Sequence, residues 1–405
     1  MVNPIKQAVI LAGGMGTRLQ PFTSDNPKPM YPINGVPFIE HLIIQIKEFG
    51  IHYVLILLGY MPERIMDYLG NGEKYNLHIE YAVTPSAFET GERLVQACAK
   101  IEDQFLLLYC DNYCPVNYER LLKDFQINDA VIQISAYRNE DHYTKDNLRV
   151  ADNGCIELYD KKRISPHLGG VDIGYALVKK EALALFQNEK DTVQSGNFEL
   201  VTYPALVRGK KLYATFTRHR YYSIGSWARI EDTKRFFEGR KTVFLDRDGT
   251  INVRPPKACY VEKEEEFVWL DGAMQAIRIL KECGCRIILV SNQPGIARGR
   301  LTVETLNKIH AKMQRELKQE TGYEIDAIYF CPHNWDEGCD CRKPNPGLLY
   351  QAQKDFALDL TKCILVGDDE RDIQAGMEAG CRSIQVGESY DLLCAVKDLL
   401  KEEAV

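Results

Sequence analysis

Short runs of apolar residues alternate with amphipathic stretches along the whole chain. In the first half, buried strands are predicted at 7–13, 53–59 and 105–111, with an amphipathic helix over 37–50. The alternation of such runs with helices is typical of α/β architecture with largely parallel sheets. From 130 to 174 the pattern changes to alternating strands, and a further helix is predicted over 197–209.

The alternation restarts at residue 241 and predicts a second domain. Short apolar strands are expected at 241–246, 286–292, 363–368 and 382–387, with a helix over 272–284. We place the boundary near Gly239, which gives domains of 1–239 and 240–405. Ligands of open α/β sheets bind beyond the carboxyl ends of the strands, so functional residues are expected directly after the apolar runs.

A glycine-rich segment, LAGGMGTRL, directly follows the first predicted strand. Gly13, Gly14 and Gly16 let backbone N–H groups approach an anion without Cβ clashes. Thr17 and Arg18 add hydrogen-bond donors and a positive charge. The segment lacks the Lys-Ser/Thr ending of a P-loop and the third glycine of a dinucleotide fingerprint. Taken alone, it fits both a phosphate site and a plain tight turn between strand and helix.

The longer string GGMGTRLQPFTSDNPKPMYPINGVPFIEHL resembles the sugar-1-phosphate nucleotidyltransferase family. The resemblance implies a Rossmann-like mixed sheet and transfer of a nucleotidyl group from a nucleoside triphosphate to a sugar 1-phosphate, with release of pyrophosphate. It further implies Mg²⁺ binding by Asp111 and a sugar-phosphate contact from Lys161. The residues implied to hold the triphosphate are Gly13, Gly14, Gly16, Thr17, Arg18 and Lys28.

Two segments depart from the pattern of that family. The family usually has Asp-Ile-Gly near the end of this domain, and the Asp supplies a second metal contact, whereas this chain has Ser223 there. Because serine is a poor Mg²⁺ ligand beside a carboxylate, the metal is expected to rest on Asp111 and water. The usual Pro-Leu-Gly-Thr-Ala segment is replaced by SAFETGER over 86–93, whose Thr-Gly-x-Arg pattern resembles the cytidylyltransferase branch. The resemblance therefore does not assign the nucleotide base.

The second half opens on a strand that ends in paired aspartates, FLDRDGTIN. Residues i and i+2 of an extended segment project to the same side, so Asp246 and Asp248 can address one phosphate and one cation. Two adjacent carboxylates repel each other and favour a cation between them. An acidic turn capped by Gly249 is the alternative explanation of this motif alone.

Three further motifs follow in order: SNQPG from 291, CRKPNPG from 341 and VGDDERD from 366. Together with the paired aspartates they resemble the haloacid-dehalogenase-like (HAD-like) phosphatases, which implies a Rossmannoid domain. No insertion between these motifs is long enough for a separate cap domain, so a domain without a large cap is expected. The resemblance implies that Asp246 attacks phosphorus, that Asp248 acts as general acid and base, and that Mg²⁺ binds Asp246, Asp368 and the Asp248 carbonyl. The residues implied to hold the phosphoryl group and the substrate are Ser291, Lys343, Asn292 and Arg342.

The segment CPHNWDEGCDC contains two closely spaced pairs of soft metal ligands. Cys331 and His333 form one pair and Cys339 and Cys341 the other, a spacing that predicts a closed tetrahedral Zn²⁺ site of structural type. Four unconnected loop residues are the alternative. A zinc loop before CRKPNPG resembles the heptose bisphosphate phosphatase and histidinol-phosphatase branch. Asp369 stands where the heptose enzymes usually carry a lysine that meets substrate.

Composition narrows the class of protein but not its chemistry. The 405 residues are 45% hydrophobic and 26% charged, with a net charge of −7, which suits small-molecule ligands and argues against nucleic-acid binding. The 13 cysteines do not look like a disulfide framework, and we see no signal peptide and no membrane span. A cytoplasmic enzyme is expected, and a homo-oligomer is left open.

The two resemblances together favour consecutive steps of nucleotide-activated heptose biosynthesis. The second domain would remove the 7-phosphate of D-glycero-D-manno-heptose 1,7-bisphosphate, and the first would activate the remaining 1-phosphate, with GTP as the expected donor. One alternative is a phosphatase of another monoester, such as histidinol phosphate, fused to a transferase that uses CTP or another triphosphate. A second alternative, based on Ser223, is that the first half binds nucleotide-sugars without catalysis.

Overall fold

The computed structural model describes residues 3–403 and divides the chain into two compact units, Met1–Phe237 and Glu238–Val405. Each unit has its own central sheet with helices packed against it, which confirms the predicted α/β architecture. No helix among the described residues is long and apolar enough to cross a membrane.

The first unit is built on a mixed sheet with a set of short accessory strands. Its strands are β1 (Gln7–Ala12), β2 (Pro32–Ile33), β3 (Val36–Pro37), β4 (Tyr53–Leu58), β5 (His78–Val83), β6 (Gln104–Tyr109), β7 (Asn112–Tyr113), β8 (Ile132–Tyr137), β9 (Leu148–Val150), β10 (Ile156–Tyr159), β11 (Val171–Lys179), β12 (Leu212–Thr217) and β13 (Tyr222–Ser223). Its α-helices are α1 (Phe38–Glu48), α2 (Pro62–Leu69), α3 (Thr90–Gln96), α4 (Tyr118–Ile127), α5 (Glu181–Val193), α6 (Phe198–Arg208) and α7 (Trp227–Phe237).

The seven strands of the central sheet lie in the order β12-β8-β11-β6-β1-β4-β5. Strands β1, β4, β5 and β6 are parallel to one another, whereas β11 is antiparallel to both β6 and β8. The sheet is therefore mixed, as expected. Because β1, β4, β5 and β6 run in the same direction, the loops that follow them meet at one edge of the sheet.

The second unit has an entirely parallel sheet in the order β16-β15-β14-β17-β18. Its strands are β14 (Thr242–Leu245), β15 (Arg286–Asn292), β16 (Ala327–Cys331), β17 (Ile364–Gly367) and β18 (Arg382–Gln385). Its α-helices are α8 (Ala273–Glu282), α9 (Val303–Thr321), α10 (Gly347–Phe356), α11 (Glu370–Ala379) and α12 (Leu392–Glu403).

Both faces of the second sheet are covered, which explains why its central strands β14 and β17 are almost continuously apolar. Val243 and Leu245 of β14 point into one hydrophobic cluster, while Phe244 between them belongs to the cluster on the opposite face. The motifs that follow β14, β15 and β17 consequently lie together at the carboxyl edge of this sheet.

Candidate active sites

The glycine-rich loop after β1 forms one wall of a cavity of about 410 Å³ in the first unit. Gly16 adopts a left-handed conformation with φ of 64°, and its carbonyl accepts hydrogen bonds from the Leu19 amide and the Thr23 hydroxyl. These bonds fold the segment after the loop back over the sheet edge. The structure brings together in this cavity the predicted residues Gly13, Gly14, Gly16, Thr17, Arg18, Lys28 and Asp111.

Lys28 and Asp111 form an ion pair at the base of the same cavity. The lysine is only 9% exposed, so a positive charge is fixed where the loop amides converge. An oxygen ligand such as Asp111 suits Mg²⁺. Ser223 lies near Asp111, since the amide of the next residue, Ile224, donates to the Asp111 carbonyl. The Ser223 hydroxyl accepts a hydrogen bond from the Gly225 amide. The serine therefore adds no carboxylate to the set of metal ligands.

Arg93 is a buried residue of this site that the sequence analysis did not assign to the site. Its guanidinium donates to the carbonyls of Leu58 (2.9 Å), Gly13 (3.2 Å) and Ser86 (3.1 Å). It therefore ties together the loops after β1, β4 and β5. A Cβ at Gly13 would lie 2.3 Å from the Arg93 Cζ, so this glycine is required by the close approach of the side chain. Burial lowers the pKa of Arg93, although nearby Glu92 opposes the shift.

Lys161 lies in a separate cluster of acidic and aromatic side chains and does not line the glycine-loop cavity. Its ammonium pairs with Glu199, which also accepts a hydrogen bond from the Tyr159 hydroxyl at 2.8 Å. Burial, with the negative charge of Glu199, raises the pKa of Asp172 to about 7. Asp172 interrupts the apolar strand β11, a signal that could have directed attention to it.

In the second unit, Asp246 follows β14 and is held in place by its backbone and its side chain. Its amide donates to the Val366 carbonyl at 2.9 Å, and its carboxylate pairs with the buried Lys343. Lys343 also pairs with Asp372 and donates to the carbonyl of Val290 at 2.8 Å. Burial would lower the pKa of Lys343, but the two carboxylates raise it above the ordinary range, so the ammonium stays charged.

The Asp248 carboxylate is enclosed by hydrogen-bond donors. Arg247, which is 1% exposed, donates from one nitrogen to both carboxylate oxygens at 3.0 and 2.8 Å. Asn252 and Gln293 each add a bond at 3.0 Å. Burial would raise the pKa of Asp248, but Arg247 and these amides hold it below its ordinary value. His310 contacts Arg247 at 3.4 Å, and burial with that positive charge lowers its pKa to about 3.

Ser291 and Asn292 end β15 beside Lys343. The Ser291 hydroxyl accepts a hydrogen bond from Gln293 at 2.8 Å, and Ser291 lines a cavity at the carboxyl edge of the second sheet. The Asn292 side chain is bonded twice to the backbone of Lys343, once as donor and once as acceptor, each at 3.0 Å. Both polar atoms of Asn292 are thus engaged in positioning Lys343.

Three carboxylates form a candidate magnesium site. Asp246, Asp368 and Asp372 each offer an oxygen, and these atoms lie within 4.8 Å of one another. Burial raises the pKa of Asp246 to about 7 and that of Asp368 to about 6, although Lys343 and Arg254 respectively oppose the shift. The donor set fits Mg²⁺. The sequence analysis did not assign Asp372, and the side chain of Asp248 lies outside the cluster.

The predicted zinc ligands converge in the loop after β16. The Cys331 sulfur lies 3.6 Å from the His333 Nδ1 and 3.6 Å from the Cys339 sulfur. Cys341 lies 3.2 Å from the His333 Nδ1 and 3.6 Å from Cys339. Separations of this size are those between ligands of a tetrahedral ion with bonds of about 2.0–2.3 Å, so the donor set fits Zn²⁺. Arg342 directly follows and donates to the His333 carbonyl at 3.3 Å.

The cavity at the carboxyl edge of the second sheet, lined by Asp246, Ser291 and Lys343 among others, has a volume of about 470 Å³. Its floor is formed by the strand-end residues, and its outer wall by the loop from Arg254 to Tyr260. Arg298 holds this wall through a hydrogen bond to Tyr260, and Arg300 through an ion pair with Glu262 at 2.7 Å. Among the described residues that line the cavity, only this loop covers it, in agreement with a domain without a large cap.

Comparisons with known proteins found similarities for both units. A family model described as nucleotidyl transferase matches residues 7–165, and one described as HAD-hydrolase-like matches residues 340–391. The fold of the first unit resembles a putative glucose-1-phosphate thymidylyltransferase from Bacillus anthracis, with a TM-score of 0.50 and 18% identity over 57% of this chain and 94% of that one.

The second unit has closer relatives. A D-glycero-beta-D-manno-heptose-1,7-bisphosphate 7-phosphatase from Bordetella bronchiseptica is 43% identical over 141 residues, which are 35% of this chain and 77% of that protein. The protein of the same name from Helicobacter pylori is 38% identical over 139 residues, 34% of this chain and 78% of that one. The chain therefore belongs to the D-glycero-beta-D-manno-heptose-1,7-bisphosphate 7-phosphatase family and joins this hydrolase to a nucleotidyl transferase domain in a single bifunctional enzyme.

Proposed function

We propose that the protein catalyses two successive steps toward a nucleotide-activated heptose. Residues 240–405 would remove the 7-phosphate of D-glycero-D-manno-heptose 1,7-bisphosphate. Residues 1–239 would then transfer a nucleotidyl group to the remaining 1-phosphate. The observation that carries this proposal is the convergence of Asp246, Ser291 and Lys343 on one cavity in a chain of the bisphosphate phosphatase family.

The phosphatase reaction is assigned to two aspartates with different environments. Asp246 attacks phosphorus to form an aspartyl-phosphate, while the bond between phosphorus and the sugar oxygen breaks. Asp248 is assigned the proton transfers, to the departing oxygen and later from the attacking water. Because its pKa is low in the free enzyme, it would have to take up a proton from solvent when the anionic substrate binds. The buried Lys343 and the Ser291 hydroxyl hold the phosphoryl oxygens, supported by the contact between Lys343 and Asp246. Mg²⁺ held by Asp246, Asp368 and the Asp248 carbonyl, with Asp372 as a further candidate, would neutralise developing charge.

The transferase reaction needs positioning rather than acid–base chemistry. An oxygen of the sugar 1-phosphate attacks the α-phosphorus of the triphosphate, and pyrophosphate leaves in line. A phosphate monoester is already an anionic nucleophile at neutral pH, so the protein has only to orient two anions. We assign the glycine loop, Arg18 and Lys28 to the triphosphate and Asp111 to Mg²⁺, since all of them line one cavity. Lys161 is assigned to the sugar phosphate from the family resemblance alone, because it does not line this cavity.

We assign GTP as the donor and Zn²⁺ as the structural ion of the Cys331–Cys341 loop. The donor rests on the resemblance of the fused pair to heptose guanylyltransferases, and CTP is the alternative because of the Thr-Gly-x-Arg segment ending at Arg93. Zinc is supported by the close approach of its sulfur and nitrogen ligands. Such a site requires reduced thiols, which supports a cytoplasmic location.

A coupled assay tests both steps. Purified protein is given heptose 1,7-bisphosphate with Mg²⁺ and, in parallel, GTP, CTP, UTP, dTTP or ATP, and phosphate and pyrophosphate are measured separately. Asp246→Asn should abolish phosphate release but leave pyrophosphate release from heptose 1-phosphate intact, and Asp111→Ala should do the reverse. Equal hydrolysis of heptose bisphosphate and histidinol phosphate would contradict the substrate. Nucleotide binding without any turnover would favour a non-catalytic first half.

A further inference from the structure

Asp369 is an acidic residue that lines the cavity assigned to an anionic substrate. In the structure Asp369 caps the N-terminus of α11 and binds two arginines. Arg371 approaches it with two nitrogens, at 2.8 and 2.9 Å, and Arg254 approaches it at 3.1 Å. Counted with Asp369 alone, the two arginines leave one positive charge, which Asp368 balances through its contacts with Arg254.

Arg254 comes from the opposite wall of the cavity. It lies on the loop after β14, and its side chain is half exposed. Besides Asp369, its Nε and Nη2 contact the two oxygens of Asp368 at 3.0 and 3.2 Å. These contacts do not use Nη1, which leaves part of the guanidinium available in the cavity.

The arrangement separates two anion sites within one cavity. Lys343 and Ser291 lie at the buried floor, where the reacting phosphoryl group is assigned. Arg254 lies at the exposed rim together with Arg342 and Lys257. A cation bound to Asp368 would compete with Arg254 for that carboxylate, so in the metal-loaded enzyme Arg254 would retain Asp369 as its anchor. Arginine suits a phosphate because its planar fork can donate two parallel bonds.

We propose that Arg254, oriented by Asp369, binds the second phosphate of a sugar bisphosphate and thereby makes the phosphatase prefer bisphosphates over monophosphates. This inference rests on the proposed phosphatase function. The competing explanation is that Arg254 only neutralises Asp368.

The test compares two substrates that differ only in the distal phosphate. kcat/KM is measured for heptose 1,7-bisphosphate and for heptose 7-phosphate with the magnesium-loaded full-length enzyme. For Arg254→Ala, the ratio of the two values is expected to fall roughly 10- to 100-fold, the effect of losing a charged hydrogen bond to phosphate. Arg254→Lys should recover part of the ratio. Arg278→Ala, which removes an exposed arginine paired with Glu282 on α8, is the matched control.

Binding of Mg²⁺ alone, measured by calorimetry, separates the two explanations. The proposal expects Arg254→Ala to keep or strengthen Mg²⁺ affinity, because a competitor for Asp368 is removed. The proposal is overturned if Arg254→Ala leaves the ratio of the two kcat/KM values unchanged. It is also overturned if kcat/KM falls by the same factor for both substrates while Mg²⁺ affinity falls. Calorimetry of the bisphosphate with Asp246→Asn and with Asp246→Asn plus Arg254→Ala measures the distal contact without turnover.

Failure of the proposed function is recognised independently. If the wild-type enzyme hydrolyses neither heptose phosphate, the assigned substrate is wrong. The same ratio is then measured on any bisphosphate and monophosphate pair that the wild-type enzyme does hydrolyse. An Arg254→Ala ratio equal to that of the wild type on such a pair would reject the role of Arg254 itself.

Discussion

Replacing the buried Arg93 by methionine separates its effect on nucleotide binding from its effect on folding. The guanidinium is 3% exposed, donates to three backbone carbonyls and has no carboxylate within ion-pair distance among residues 3–403. Methionine fills much of the same volume but carries neither charge nor donors. We expect nucleotide binding to weaken while the fold keeps its stability.

The expected loss of binding follows from how closely the charge lies beneath the glycine loop. A Cβ at Gly13 would meet the Arg93 Cζ at 2.3 Å, so the guanidinium touches the back of the loop. A phosphate on the front would lie roughly 6 Å from the charge, where unit charges attract by about 3 kcal/mol at an effective dielectric constant of about 20. With part of this screened by solvent, KM for the triphosphate should rise about 30-fold.

The expected effect on stability is limited because two of the three carbonyls keep other partners, whereas the Ser86 carbonyl loses its bond from Arg93. The Leu58 carbonyl also accepts bonds from the amide and the hydroxyl of Thr84, at 3.0 and 3.1 Å. The Gly13 carbonyl also accepts a bond from the Tyr60 amide at 3.2 Å. The substitution also removes the desolvation cost of a buried cation without a carboxylate partner. The free energy of unfolding should therefore stay within about 1 kcal/mol of the wild type.

Initial rates of pyrophosphate release, at varied triphosphate and at varied sugar 1-phosphate, give the two KM values. Thermal unfolding is followed without nucleotide, so that ligand binding does not contribute to the melting temperature. Arg208→Met is the control, because Arg208 is exposed on α6 and pairs with Glu189. An unchanged KM for the triphosphate, together with a large fall in melting temperature, would refute the reasoning and make Arg93 a purely structural donor.

Three further predictions concern the second unit. Gly249→Ala should lower phosphate release roughly 100-fold or more, the order of magnitude for a displaced catalytic group, and leave pyrophosphate release unchanged. The new Cβ would lie 1.8 Å from an Asp368 oxygen, and the φ of 95° at this position disfavours any residue other than glycine. His310→Gln should reduce by about 2 kcal/mol the stability that the protein loses between pH 7.5 and pH 5, measured by urea unfolding. The folded pKa of about 3 lies below the unfolded value of 6.5, so His310 favours the folded state above pH 6.5 and this contribution is lost as the pH falls. An equal loss in both proteins would contradict this prediction. Cys339→Ser should lower zinc content, measured by atomic emission, and the melting temperature of the phosphatase, and full zinc occupancy in the variant would contradict the assigned ligand.

The parts of the fold that were predicted correctly depend on local pattern. The strand predicted at 286–292 has those same limits in β15, because seven mostly apolar residues between turn residues admit few alternatives. The zinc ligands converge because both pairs lie within eleven residues of one loop. Helix α9 was not predicted, although it has an apolar face and the Thr302 side chain caps it, because its exposed face is rich in charge and no motif drew attention to it.

The missed site residues depend on contacts between distant segments. Arg93 belongs to the site because three separate loops bring their carbonyls to it, which no spacing within its own helix indicates. Asp372 follows two other aspartates, so the sequence alone did not single it out as a ligand. In α11 it forms a capping box with Asp369, which turns its carboxylate back over Gly367, where a Cβ would meet it at 2.4 Å.

The two units share an arrangement that would suit the binding of phosphate by a chain whose net charge is −7. In each, a buried lysine pairs with the aspartate at the end of a central strand, Lys28 with Asp111 and Lys343 with Asp246. A buried ion pair adds little to stability compared with apolar packing. Its use here would be that each charged group can exchange its partner for a ligand of the same charge. If Mg²⁺ were held by the aspartate, the lysine would be free of that partner and already in position for an incoming phosphate, with Lys343 still positioned by Asp372. Local buried cations therefore do what the overall field of an acidic protein cannot do, which is to attract and orient an anionic substrate.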